Sequence, residues 1–462
     1  MKHGKPQIGL LGIMQELYDD MIPGITKHQE NYAREIVKEF SDEVELIFPR
    51  AARNRQDIEE IVKKFNSDDL DGIMIVMLTY GPGQRIVRAL QMNKLPILLA
   101  NTQPVPSVTD EWNMDDLTYN QGIHGAQDTA NAILRTYKRT CPIVSGDWRS
   151  EKFKYYIVDW AKAAQTASEL KKMKVAIFGR MEGMGDITTD DSAFLRKIGP
   201  QVCYEDIGQI YRNMENISQQ EIDKQIEVDY QNFIIDPKLK KENHEYAVRL
   251  QLGFKKLMLE KGYSGFTAYF NVFKGDGRFK QIPMLAASNL MAEGYGYAAE
   301  GDSITCSLVA AGHVLEENAH FTEMYAMDFE KDSMLMSHMG EGNWKIAKKV
   351  ELRDRELGIG NLDNPPTTVF MAKPGDATLV SLVPLWGEKY RLVISYGEIL
   401  ETMEVPFIEM PYFHFKPSTG VYECNDNWLR NGGTHHQVLH LGDLRRRWKF
   451  LCEILDIEYV EV

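Results

Sequence analysis

Cysteine is scarce in this sequence, with five in 462 residues: Cys141, Cys203, Cys306, Cys424 and Cys452. They are scattered, odd in number and form no CxxC, which argues against both a disulfide framework and a zinc ribbon. A reducing compartment, the cytoplasm, is the expected location. Long apolar runs are missing as well, and nothing approaches the ~18 residues of a membrane span. The apolar stretch near the N-terminus covers only Ile8 to Met14, and Gln15-Glu16 follow it with no small-residue cleavage site. It reads as a buried first strand and not as a signal peptide. Basic charge is the third shortage. Lys and Arg number 53 against 67 Asp and Glu, a net charge of −14, so the chain lacks the excess of basic residues that binding to a phosphate backbone requires. The densest basic run, LRRRWKF at 444–450, reads as a helix face that is solvated or at a subunit contact. Neither nucleic acid nor membrane is an expected partner.

What is present is an alternation of apolar runs and amphipathic segments. QIGLLGIM (7–14), DGIMIVML (71–78) and LPILLA (95–100) read as strands. Between them, ITKHQENYAREIVKEF (25–40) sets Ile25, Tyr32, Ile36 and Phe40 on one helical face, and RQDIEEIVKKF forms another helix. Strands that are apolar throughout and separated by helices indicate a parallel sheet covered on both faces. Ligands usually bind at the C-terminal ends of such strands, where this chain carries QELYDD (15–20), TYGPGQR (79–85) and NTQPVP (101–106). A helix over roughly 150–172 leads to KVAIFG (174–179), the first strand of a second α/β unit. That unit runs through GFTAYFNVF (265–273) and the helix PMLAASNLMAEG, with Gly294 at its end. Beyond about residue 325 the composition turns β-branched, and 366–399 is broken by PGD and WGE turn signals. This is the pattern of antiparallel sheet or barrel.

Three segments carry chemistry. GGTHHQVLH (432–440) places His435 and His436 side by side after two glycines, either as a plain surface loop or as a metal or acid–base site. Glu300 lies in GYGYAAEGD, Glu323 in HFTEMYAM and His338 in LMSHMGE. Each has an ordinary alternative: a solvated residue opening a helix, one acid among 67, a hydrogen-bonded core histidine. Yet Glu323 and His338 sit in apolar company, where an unpaired charge is costly. A shared cation would relieve that cost.

The ordered segments MQELY (14–18), NQGIHG (120–125), GYGYAAEGD (294–302), FTEMY (321–325), SHMGE (337–341), LGIGNLDNP (357–365) and GGTHHQV (432–438) resemble the L-arabinose isomerases over nearly the whole chain. The resemblance implies two doubly wound, Rossmann-like α/β domains followed by an antiparallel β-barrel-like domain, in agreement with the pattern above. The expected divisions are 1–170, 171–325 with Glu300 and Glu323, and 326–462 with His338 and His436. It implies metal ligands at Glu300, Glu323, His338 and His436. It implies sugar contacts from Gln15, Leu17, Tyr80, Gln121, His124, Phe270, Phe321 and Ile359. Met184 is a looser match, with Met181 competing, and His435 is left for the sugar or for supporting a ligand. The implied assembly is a homo-oligomer, hexamer or trimer, with active sites at subunit interfaces.

Aldose–ketose isomerisation moves a proton between C1 and C2, and a divalent cation stabilises the oxyanion that develops. Two carboxylates and two imidazoles suit Mn²⁺, with Co²⁺ or Mg²⁺ as alternatives. Glu300 and Glu323 are then the expected catalytic acid and base, each worth about 10²–10⁴-fold. Three departures bear on the sugar: Leu78 stands where the family usually carries a histidine, NTQPVPSV is altered near the pocket, and the chain stops at EYVEV, short of the usual extension. L-arabinose is the default substrate, with another pentose, hexose or modified aldose as the alternative. Two other classes remain at this level, a non-catalytic sugar-binding protein and a metal-dependent hydrolase.

Overall fold

The expected first strand is Gln7–Ile13 (β1), which leads into Glu45–Ile47 (β2), Gly72–Met77 (β3), Ile97–Asn101 (β4) and Ile143–Ser145 (β5). The computed structural model describes residues 4–356, 362–401 and 403–462, and it divides near residue 168 into two units. In the first unit these strands form one parallel sheet in the order β2-β1-β3-β4-β5. β3 is buried along its whole length, as a run without polar alternation requires. Helices Ile25–Glu39 and Arg55–Ser67 bury the faces their periodicity marks, with Ile25, Tyr32 and Ile36 inward on the first and Ile58, Ile61, Val62 and Phe65 on the second. Asn54 caps the second helix by accepting from the Asp57 amide at 3.0 Å. Because β2 and β3 lie on opposite sides of β1, the strand order reverses there and opens a crevice beyond the ends of β1 and β3.

The second unit opens with Lys174–Phe178 (β6), Gln201–Tyr204 (β7), Ile234–Ile235 (β8), Gly265–Ala268 (β9) and Gly296–Ala299 (β10). Four of these form a parallel sheet in the order β10-β9-β6-β7, with its own reversal between β6 and β9. The helix Ser303–Leu315 is buried at every residue and lies flat on β10. A Cβ at Gly296 would come within 2.2 Å of the Cys306 carbonyl, so only glycine permits that approach.

The rest of the unit is β-rich: His320–Asp328 (β11), Ser333–Ser337 (β12), Ala347–Asp354 (β13), Pro366–Ala372 (β14), Gly375–Leu385 (β15), Lys389–Ile399 (β16), Tyr412–Pro417 (β17), His436–Leu441 (β18) and Glu458–Glu461 (β19). β16-β15-β18-β11-β12-β17 pair antiparallel in sequence, and β17 pairs back to β16, closing a six-stranded barrel. Met334, Met336, Leu379, Val393, Phe413, Phe415 and Leu439 belong to the buried core of this region. The WGE signal is the hairpin turn between β15 and β16, with Gly387 and Glu388 at positive φ. PGD joins β14 to β15, which are not neighbours, so it turns the chain without making a hairpin. One division differs from expectation. The boundary at 325/326 falls inside β11, which is a barrel strand along its length, so Glu323 belongs to the barrel and not to the central sheet.

Candidate metal centre

Glu300 follows β10 directly at φ +66, and Gly301 comes next at φ +88. A left-handed non-glycine residue costs on the order of 1–3 kcal/mol, and the surroundings hold it there. The Glu300 amide donates to Ala268 O at 3.0 Å, its carbonyl accepts from the Met181 amide at 2.9 Å, and the Gly301 amide donates to Thr267 Oγ1 at 3.0 Å. The barrel supplies the facing groups by register. Glu323 on β11 stands directly opposite His436 on β18 and opposite Ser337 on β12, and His338 is the next residue after Ser337. Opposed residues of an antiparallel pair share a face, so β11 and β18 bring Glu323 and His436 together, and His338 joins them from just past the end of β12.

The donor atoms converge without satisfying one another. His436 Nε2 lies 3.2 Å from Glu323 Oε1 and 3.6 Å from Glu300 Oε2, and His338 Nε2 lies 3.9 Å from Glu323 Oε1. His435 Nε2 is 3.9 Å from both carboxylates. Among the described residues, the buried atoms Glu300 Oε2 and His436 Nε2 have no hydrogen-bond partner. Two overlapping triads, Glu300–His435–His436 and Glu323–His338–His436, each keep their donor atoms within 4.8 Å. Ligand atoms about 2.1 Å from a common ion would stand about 3–4 Å apart. The mixture of oxygen and nitrogen donors, with no thiolate, fits a divalent cation of the Mn²⁺ type.

Each imidazole is held from behind by a carboxylate. Asp302 Oδ2 lies 2.9 Å from His436 Nδ1, Glu341 Oε2 lies 2.6 Å from His338 Nδ1, and Asp186 Oδ2 lies 2.7 Å from His435 Nδ1. Tyr297 donates to the other Glu341 oxygen at 2.6 Å. Such partners fix the ring and leave Nε2 free to face the centre. The cluster is short of positive charge. Burial alone would push the Glu300 carboxyl up, but the facing His435 and His436 imidazoles outweigh it and hold it at about 2. The hydrogen bond to Asp186, helped by Glu300, raises His435 to about 9. Burial works against a charged His436, yet Asp302, Glu300 and Glu323 raise it well above the ordinary histidine value. Without a cation, protons fill the role a cation would take.

Other expected positions fall in three places. Phe270 lies just after β9, and Met184 in the loop after β6, both at the reversal of the central sheet. Phe321, an expected sugar contact, packs within the cluster. It is 0% exposed, its ring centroid 4.7 Å from His338, 4.9 Å from His436 and 5.7 Å from Tyr297, so it braces two imidazoles. Ile359 lies outside the described residues. In the first unit, Gln15 and Leu17 follow β1, Tyr80 follows β3, and Gln121 and His124 open the helix Gly122–Tyr137. Gly122 allows that opening, since a Cβ there would sit 2.5 Å from Met77 O. Burial raises the Tyr18 phenol, which bonds to Gln121 and lies near Tyr80. Leu78 points into the core, fully buried, with its side chain against Gly12.

Comparison with known proteins follows this division of the chain. Family models for the L-arabinose isomerase N-terminal, central and C-terminal domains match residues 5–172, 174–318 and 318–458. The chain belongs to the L-arabinose isomerase family. L-arabinose isomerase of Pediococcus pentosaceus is 30% identical over 94% of each chain. That of Leuconostoc mesenteroides is 29% identical over 95% of this chain and 96% of its own, and that of Escherichia coli 28% over 96% and 91%. A periplasmic solute-binding protein of Actinobacillus succinogenes with bound D-allose covers 68% of this chain and 91% of its own at 14% identity, but with a TM-score of 0.18 it carries no argument. Family membership makes this chain an aldose–ketose isomerase. Asp186, Tyr297, Asp302 and Glu341 were not singled out from sequence. Asp302 was readable as a helix cap ahead of Ser303, and Glu341 stands three residues after His338. Asp186, 249 residues from its partner, gave no local signal.

Proposed function

We propose that the chain interconverts an aldose and its ketose through an enediol, with one divalent cation held by Glu300, Glu323, His338 and His436. Mn²⁺ is the first choice, with Co²⁺ or Mg²⁺ as alternatives. The observation that carries this reading is the pair of partnerless buried atoms, Glu300 Oε2 and His436 Nε2, facing each other at 3.6 Å inside the cluster. When bound, the cation supplies the positive charge that stabilises the oxyanion as the C–H proton leaves. Glu300 and Glu323 act as the acid and base at C1 and C2, approaching from the central sheet and the barrel respectively. Asp302 and Glu341 keep the Nδ1 atoms of His436 and His338 engaged. The names of the relatives support L-arabinose, giving L-ribulose, as the substrate. The test is a ketose assay over a panel of pentoses and hexoses, on EDTA-treated protein with and without Mn²⁺. L-arabinose should react fastest and only with added cation. A faster different aldose would reassign the substrate, and no ketose from any sugar would end the proposal.

We further propose a homo-oligomer, hexamer or trimer, in which Gln15, Leu17, Tyr80, Gln121 and His124 complete the centre of a neighbouring subunit. Support comes from the apolar surface around them in the first unit, where Leu17, Met21, Met114, Leu117 and Ile123 are exposed. Such surface commonly marks an interface. Co-expressed His124→Ala and Glu300→Gln chains should regain activity in mixed oligomers. Mixed oligomers as inactive as each parent would place the whole pocket in one chain.

A further inference from the structure

The loop between β6 and the helix Asp191–Lys197 is tied at both ends to the centre. At its start, the Met181 amide bonds Glu300 O, and Arg180 reaches Gly301 O at 3.3 Å and Ser303 Oγ at 3.2 Å. At its far end, Thr189 Oγ1 pairs with Tyr390 OH on β16 at 2.8 Å, and Asp190 caps the following helix through the Ala193 amide at 2.7 Å. Between these ties lie Gly183, at φ +92, and Gly185, both with open space around them. Asp186 stands at the middle. One of its oxygens, Oδ2, accepts from the His435 backbone amide at 2.9 Å and pairs with His435 Nδ1 at 2.7 Å.

That double contact has a definite consequence. With Nδ1 engaged, the one remaining ring nitrogen of His435 is Nε2, which stands 3.9 Å from Glu300 Oε2 and 3.9 Å from Glu323 Oε1. The distance is too long for a hydrogen bond and leaves a gap between the imidazole and the two carboxylates. His435 is also the least buried of the three imidazoles, 40% exposed against 6% and 0% for His338 and His436. We infer that Asp186 is a positioning residue: it holds His435 so that Nε2 receives a sugar hydroxyl beside the reacting carbons. This rests on the proposed isomerase reading and adds to it a residue of the central-domain loop. The Asp186–His435 pair is about 40% exposed on both sides, so it contributes little to stability. Its loss should be felt in sugar binding.

The test compares Asp186→Ala and Asp186→Asn with the unmodified chain in Mn²⁺. Asp186→Ala should raise KM for L-arabinose about tenfold while kcat stays within about threefold. Calorimetric titration with L-arabinitol, which has no carbonyl to isomerise, should show the same tenfold loss of affinity. Mn²⁺ affinity and Tm should be unchanged. Asp186→Asn keeps an acceptor oxygen in place and should return both KM and alditol affinity to within about threefold of normal. A fall in Mn²⁺ affinity instead, an equal effect of Ala and Asn, or unchanged alditol binding would overturn the inference. If the unmodified chain bound L-arabinitol but formed no ketose, the isomerase reading would fail while the alditol titration still decided the role of Asp186.

Discussion

The two places where the structure gathers chemically able residues are built by opposite means. At the central-sheet and barrel site, Asp302 and His436 are both 0% exposed in their side chains, and each imidazole has its own carboxylate. At the sheet end of the first unit, His124 is exposed, Leu17 is 56% exposed, and the main chain is held by contacts that include the close approach of Gly122 to Met77 O and the bond from Gln29 to Leu78 O at 2.5 Å. The difference matches the tasks proposed for them. Groups that hold a charge must be placed within fractions of an ångström in a medium that does not screen them. Groups that meet a hydroxylated sugar can sit in water until it arrives, since each hydrogen bond they make replaces one to solvent.

The largest effect should come from removing a carboxylate of the buried site. On the proposed roles, Glu300→Gln or Glu323→Gln takes away a ligand charge and a proton-transfer group together, so turnover should fall by more than about 10⁴-fold with far-ultraviolet circular dichroism unchanged. A variant keeping a tenth of normal turnover would show that the buried site is not where the chemistry occurs. Next in size are the residues behind the imidazoles. Asp302→Asn and Glu341→Gln should weaken Mn²⁺ binding by about 10–100-fold, measured by competition with a chelating dye.

Acidity sharpens the comparison further. In the cation-free chain His435 is raised from 6.5 to about 9; screened by solvent, its small contribution to stability is whole below pH 6.5 and is lost as pH climbs towards 9. Glu300 is lowered from 4.5 to about 2, so its contribution holds above pH 4.5 and is lost as pH falls towards 2. The cation-free chain should therefore melt highest between those limits. Because the cation replaces protons, Mn²⁺ should raise Tm more at about pH 8 than at about pH 6, and excess Mn²⁺ should extend activity to lower pH. A Tm gain independent of pH would contradict this exchange. The smallest effect belongs to the exposed region. Gln121→Ala should raise KM about tenfold, one hydrogen bond's worth, and leave Mn²⁺ affinity as it was.

The same contrast explains what could be read from the sequence. β1, β3, β4 and the flanking helices were legible because their patterning is local: β3 is apolar at every position, and Ile25, Tyr32 and Ile36 repeat at helical spacing. The barrel was legible as a class from the β-branched run at 366–399, but its closure was not. Pairing β16 with β17, or Glu323 with His436 across 113 residues, is decided by tertiary packing that no local window records. The same holds for the strand boundary at 325/326 and for the two-residue β8, whose neighbour in the sheet is β13. The residues proposed as ligands stood out through ordered motifs. Phe321 was less legible, because an aromatic beside a proposed ligand reads equally as a sugar platform or as packing, and its full burial came only with the fold.

The claim on which everything else depends is that Glu300, Glu323, His338 and His436 hold a cation that the reaction needs. Stepwise titration of EDTA-stripped protein with Mn²⁺, reading heat and L-ribulose formation on the same samples, tests it most directly. The account predicts one cation per chain, turnover rising in proportion to occupancy, and the loss of both in His436→Ala. Full turnover in the stripped protein, or unaltered Mn²⁺ binding without His436, would contradict it.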